Sequence, residues 1–86
     1  MYGFAYSDKA LDFLGTLQPK IRRQITNKVT ALADNPKPPG CKLVLTMEDE
    51  GDQVYRIRSG DYRVLYVVRD VMIVILDIDH RKDVYK

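Results

Sequence analysis

The sequence predicts an α/β domain of the α+β type, two N-terminal helices packed on one face of a mainly antiparallel sheet of four to five strands. Three observations carry that expectation. Apolar residues recur at helical spacing only in the first 33 residues. From Cys41 onward, short runs rich in β-branched and aromatic residues alternate with turn residues. Residues 55–66, YRIRSGDYRVLY, read as a hairpin folded about Gly60-Asp61.

Each element follows from local chemistry. Residues 2–6 are short and aromatic and read as a strand. Ser7 caps a helix from Asp8 to about Leu17, with Leu11, Phe13, Leu14 and Leu17 on one side and Asp8 at the positive end. Pro19 opens a second helix, where a missing N–H costs nothing. Ile21, Ile25, Val29 and Leu32 form its stripe, and it ends before Asn35-Pro36. Residues 36–40 hold three prolines and a glycine, an irregular connector. Residues 41–45 are a short extended segment, and residues 46–52 a polar turn or solvated loop carrying Glu48, Asp49, Glu50 and Asp52. After the hairpin and a turn near Asp70, residues 71–78 are apolar on both parities and read as an interior strand.

Length and composition bound the function. The 86 residues make one domain, 1–86. The single Cys41 excludes an internal disulfide or multi-cysteine metal site and fits a cytoplasmic protein, with Cys41 a small buried hydrophobe. The longest apolar run is far short of the roughly 20 residues of a membrane span. No Walker loop, dinucleotide fingerprint, calcium-loop or zinc spacing or serine-nucleophile elbow occurs, so no cofactor and no metal is expected. The net charge is only +2, but it is segregated. Lys20, Arg22, Arg23 and Lys28 share the second helix with no acid, which reads as a nucleic-acid-facing helix or an ordinary solvated face.

The hairpin carries the chemistry. With Gly60 and Asp61 central, Arg58 faces Arg63, Ile57 faces Val64, Arg56 faces Leu65 and Tyr55 faces Tyr66. Arg56, Arg58 and Arg63 then share one face, and Tyr55, Ile57, Val64 and Tyr66 the other, which is core. Opposed guanidinium groups repel unless an anion sits between them, and their planar fork fits phosphate. The open face is expected to belong to the arginines. An ordinary surface strand with arginines gives the same alternation. The chain closes on Asp79, His80, Arg81, Lys82 and Asp83, then Val84-Tyr85-Lys86.

YRIRSGDYRVLY, an apolar strand and HRKDVY in that order resemble the RelE/ParE superfamily of toxins, most closely the RelE-type mRNA interferases of type II toxin–antitoxin systems. The resemblance spans nearly the whole chain and implies the RelE-like microbial RNase fold. It implies an endoribonuclease that cuts mRNA in the ribosomal A site by metal-free attack of a ribose 2′-hydroxyl on the adjacent phosphorus. It places the functional arginines at Arg63 and Arg81 and the near-terminal tyrosine at Tyr85, with Arg58 and His80 as further catalytic candidates. Arg56, Arg58, Lys20, Arg23, Lys28 and Lys82 are the expected RNA contacts. The implied partners are a cognate antitoxin, the ribosome with its RNA, and mRNA; the toxin–antitoxin complex is expected to bind operator DNA. A ParE-like inhibitor of DNA gyrase and a non-catalytic RNA- or antitoxin-binding protein are the alternatives.

Overall fold

A computed structural model describes residues 2–80 of the chain. The order is β1 (Gly3–Tyr6), α1 (Asp8–Gly15), α2 (Pro19–Leu32), β2 (Lys42–Asp49), β3 (Asp52–Ser59), β4 (Tyr62–Arg69) and β5 (Met72–His80). The strands form one five-stranded sheet in the order β1-β5-β4-β3-β2. Only β1 pairs in parallel, with β5; the other three pairings are antiparallel. Among the described residues no helix is long and apolar enough to cross a membrane.

The helices start and stop for the expected reasons. The Ser7 side chain accepts from the Ala10 N–H at 3.1 Å and donates to the Leu76 carbonyl at 2.7 Å, so one residue caps α1 and pins it to β5. Pro19 occupies the first position of α2. Ile25, Val29 and Leu32 of its stripe are buried with Ala10 and Leu14 of α1 against Ile57, Val64, Tyr66, Ile73, Ile75 and Ile78 of the sheet. Arg22, counted by sequence among the free bases of α2, is instead a bracket. It donates to the Leu14 carbonyl at 3.2 Å, which also accepts the Leu17 N–H at 3.1 Å, and to the Leu17 carbonyl at 2.8 Å, so it ties the end of α1 and the link after it to α2.

Two sequence expectations are corrected. The segment read as a polar loop over residues 46–52 is a hairpin: β2 runs through to Asp49, and Asp49 pairs with Asp52 around Glu50-Gly51. Both turn residues have positive φ, 50° and 85°, as a type I′ turn requires. Three acids, Asp49, Glu50 and Asp52, cluster at the end of the hairpin because Arg69 gathers them. Its guanidinium lies 2.6 Å from carboxylate oxygens of both Asp49 and Asp52 and 3.6 Å from Glu50. Hydrogen bonding to Asp52, then to Asp49, pushes the Arg69 pKa up. The second correction concerns the open face, which is not left to arginines alone. Val54 and Val67 share the parity of Arg56 and Leu65, yet both are fully buried.

Tyr66 ties the connector to the sheet. It is fully buried, donates its hydroxyl to the Pro36 carbonyl at 2.6 Å and lies 3.3 Å from the Cys41 sulfur. Burial first, and Cys41 second, push its pKa well above the ordinary phenol value. The neutral phenol is therefore the form the fold favours. Stability from this group is complete below about pH 10, the unfolded value, and falls as pH rises past it. Tyr66→Phe is expected to cost about 1–3 kcal/mol at neutral pH and to flatten the alkaline loss, read from urea unfolding between about pH 8 and about pH 11. Gly51→Ala places a Cβ where no atom stands within 4 Å, so only backbone strain is introduced. It is expected to destabilise by about 1–2 kcal/mol in the same assay.

Candidate functional site

The β3–β4 ladder has the predicted register: Arg58 opposite Arg63, Ile57 opposite Val64, Arg56 opposite Leu65, Tyr55 opposite Tyr66. Gly60, with φ of 59°, takes the first central position of the turn, where a type II′ hairpin needs it. Ile57, Val64 and Tyr66 are in the helix-side core, so Arg56, Arg58 and Arg63 share the face turned away from the helices.

What the strands build there depends on where β2 begins. Its first residue, Lys42, pairs with Arg56, so Ile57, Arg58 and Ser59 of β3 have no β2 partner beside them. That unpaired edge opens into a cleft of about 620 Å³, walled by Lys28 and Ala31 of α2, by Pro38, Pro39 and Gly40 of the connector, and by Lys42, Arg56, Arg58 and Arg63. Five cationic side chains line it and no carboxylate does, among the described residues. Such a lining suits a polyanion rather than a metal ion. Lys42 and the proline loop were not singled out by sequence. Lys42 stands at a strand end with no motif around it, and only the β2–β3 register reveals its neighbour.

Arg63 differs from its companions. It is 8% exposed whereas Arg58 is exposed, and across the β4–β5 ladder it faces Asp79. The fold thus supplies a carboxylate at the neighbouring position on one side of the opposed arginine pair. Arg56 and Arg63 also border a second cavity of about 560 Å³ on the open face, with Asp77, Asp79, Leu65 and residues 43–47 of β2. The β2–β3 register shifts between Val44 and Glu48, so Leu45, Thr46 and Met47 stand outside the ladder, Leu45 largely exposed.

The remaining candidates divide. Lys28 reaches the cleft; Lys20 and Arg23 lie on exposed positions of α2 and are not part of its lining. His80 is drawn away from the arginines. It pairs with Tyr62, its ring edge-on at 5.1 Å, and Tyr62 packs on Phe13 and the helix-side core. A bulge between Leu65 and Tyr66 in the β4–β5 pairing sets the register that puts Asp79, rather than Ile78, opposite Arg63. Arg81, Lys82 and Tyr85 lie outside the described residues.

Comparison with known proteins agrees with this architecture. The family model for the ParE toxin of the type II toxin–antitoxin system parDE matches residues 4–85. The comparison with curated proteins returns no match. Among solved structures, the archaeal RelE–RelB complex from Pyrococcus horikoshii is similar, with 29% identity and a TM-score of 0.78 over 93% of this chain and 94% of that one. The toxin–antitoxin complex RelBE2 from Mycobacterium tuberculosis has 28% identity and a TM-score of 0.74, covering 93% of this chain and 98% of that one. The isolated RelE toxin of E. coli has 24% identity and a TM-score of 0.73 over 99% and 92% of the two chains, a likeness of fold.

The burial of Arg63 separates two substitutions that sequence treated alike. Arg63→Ala removes a packed side chain beside Asp79 and is expected to cost about 1–3 kcal/mol in urea unfolding, whereas Arg58→Ala at an exposed position stays within about 0.5 kcal/mol of the parent. Arg58→Ala is therefore the cleaner probe of the cleft.

Proposed function

The chain belongs to the ParE toxin family of type II toxin–antitoxin systems, and from that premise we propose that it is a ribosome-dependent mRNA endoribonuclease silenced by a cognate antitoxin. The observation that carries this reading is the cleft at the free edge of β3, where, among the described residues, five cations and no carboxylate form the lining. The 28–29% identity to toxins solved as RelE–RelB and RelBE2 complexes supports an antitoxin partner and favours the RelE-type activity.

The chemistry needs little from the protein beyond charge and alignment. A ribose 2′-oxygen attacks the adjacent phosphorus, the bond to the 5′-oxygen of the next nucleotide breaks, and a 2′,3′-cyclic phosphate is left. Negative charge grows on the non-bridging oxygens, and on this reading Arg58 and Arg63 neutralise it, a role that their pairing across the ladder supports. A single such donor is worth roughly 10²–10³ in rate. By the resemblance, Arg81 adds a further cation, and Tyr85 either takes the 2′ proton or stacks on a base. As a base it needs nearby cations to lower a phenol pKa of about 10. His80, edge-on to Tyr62 at 5.1 Å, is chemically the better acid for the leaving oxygen if it reaches the phosphate; otherwise that proton comes from Arg81, Arg58 or water. Guanidinium is a poor acid. An enzyme with so weak an acid depends on a substrate already held in line, which a ribosome-bound codon is.

A second reading rests on the family model itself, which describes a ParE toxin. On that reading the same fold inhibits DNA gyrase by binding. Primer extension on mRNA from cells expressing the chain separates the two. Cuts within translated codons are expected, absent without ribosomes and reduced roughly 10²–10³-fold by Arg58→Ala. Intact mRNA together with blocked supercoiling by gyrase would favour the second reading and sink the first.

A further inference from the structure

Strand β2 is an edge of the sheet, and its outer side is bare among the described residues. It carries three exposed large hydrophobic side chains, Leu43 at 38%, Leu45 at 86% and Met47 at 41% exposure. The register shift leaves Leu45, Thr46 and Met47 without β3 partners, so that stretch of backbone is not spent on its own sheet. Lys42 and Glu48 flank it, both exposed, and among the described residues neither has an ion-pair partner. Arg69 takes Asp49, Glu50 and Asp52 and leaves Glu48 out. A bare apolar edge is a template for another strand, and the charges at the two ends of this one are opposite in sign.

The order of residues on the edge says which strand fits it. Residues 42–48, KLVLTME, are their own antiparallel complement about Leu45. With a second copy, Lys42 meets the partner's Glu48, Leu43 meets the partner's Met47, Val44 meets the partner's Thr46, and the two Leu45 side chains meet on the two-fold axis. Directly paired residues share a face, so Leu43, Leu45 and Met47 of both copies gather on one face and two opposite-charge pairs stand on the other. A slip of one residue in either direction sets Leu43 against Glu48 or Lys42 against Met47. The opposite edge of the sheet offers no such match, because β1 is only four residues long and holds no charge.

We propose that two copies of the chain pair antiparallel through β2, forming an isologous dimer whose sheet runs continuously across both and whose axis passes Leu45. One strand pair buries less than the roughly 1,600 Å² of a standard stable interface, so the association is weak and follows concentration. It sets Lys42, which lines the cationic cleft, beside the partner's Glu48. The dimer stands whether or not the chain cuts RNA.

Sedimentation velocity of the full-length chain from about 1 µM to about 500 µM is expected to show monomer giving way to dimer. Leu45→Lys puts two like charges on the axis and is expected to weaken association about tenfold. Leu45 is exposed and outside the β3 ladder, so the urea midpoint of that variant is expected to match the parent. Lys42→Glu and Glu48→Lys each set like charges at both ends of the contact, and each alone is expected to weaken association about tenfold. Mixed in equal amounts, the two single variants are expected to associate within about threefold of the parent, because every end pair is again opposite in sign. A monomer at every concentration overturns the proposal. So does a dimer that Leu45→Lys leaves intact, since it uses another surface, and so does a mixture that associates no more tightly than its components.

Discussion

The register of the β3–β4 hairpin is the constraint on which the remaining structure depends. Side chains alternate with a period of two, so a slip of one residue would send Arg58 and Arg63 into the helix-side core and expose Ile57, Val64 and Tyr66. Two unrelated features hold the register against that slip. At one end Gly60, at positive φ, closes a two-residue turn that admits one pairing. Along the strands, Val64 and Tyr66 are fully buried beneath α1 and α2, and Tyr66 is further anchored through its hydroxyl to Pro36. The backbone position of each cation on this ladder is therefore fixed by the turn and by the core beneath it.

Charge is sorted by the same ladder. Of the fourteen basic side chains, two that resemble free surface bases in sequence are committed to structure. Arg22 brackets the end of α1, and Arg69 gathers Asp49, Glu50 and Asp52 at the tip of the β2–β3 hairpin. The acidic cluster that would otherwise repel an RNA backbone is thus partly neutralised, at the end of β4 opposite to Arg63. A net charge of +2 understates the local field, because the cleft holds five cations while most of the carboxylates stand elsewhere. Asp77 and Asp79 mark the limit of that sorting, bordering the neighbouring cavity that shares Arg56 and Arg63.

What sequence made legible was periodic or local. The apolar stripe of α2, the Ser7 cap, the Pro19 start and the hairpin register each depend on residues within one turn or one strand pair. What it concealed was set by distant partners. Thr46 and Glu48 look like loop because their segment is polar, yet β2 continues through a three-residue bulge to a turn whose acids Arg69 secures from β4. His80 looks like a companion of Arg81, but a bulge in the β4–β5 pairing assigns it to Tyr62. Lys42 carries no signal at all until its partner across β2–β3 is known. Val54 and Val67 gave no hint of burial on the arginine face, since alternation says which side a residue is on and not what lies over that side.

The early start of the β3 edge ties stability to function. An unpaired strand edge presents free backbone N–H and C=O groups and invites association with another chain. Here the stretch of β3 without a β2 partner spans Ile57, Arg58 and Ser59, of which only Arg58 is exposed, because Lys42 begins β2 opposite Arg56. Sealing that edge would take three more residues of β2, Cys41, Gly40 and Pro39, in the space the connector now borders. The Cys41 N–H is committed to the Pro38 carbonyl at 3.0 Å, Gly40 stands at a φ of 89°, and Pro39 has no N–H to donate to a ladder, so the connector itself opposes the extension. The edge stays open for a reason written into the connector, and the charges of Arg58 and Lys42 discourage like-charged copies of the chain from pairing there. The proline-rich segment, which reads in sequence as mere linkage between a helix and a strand, is what keeps the cleft a cleft.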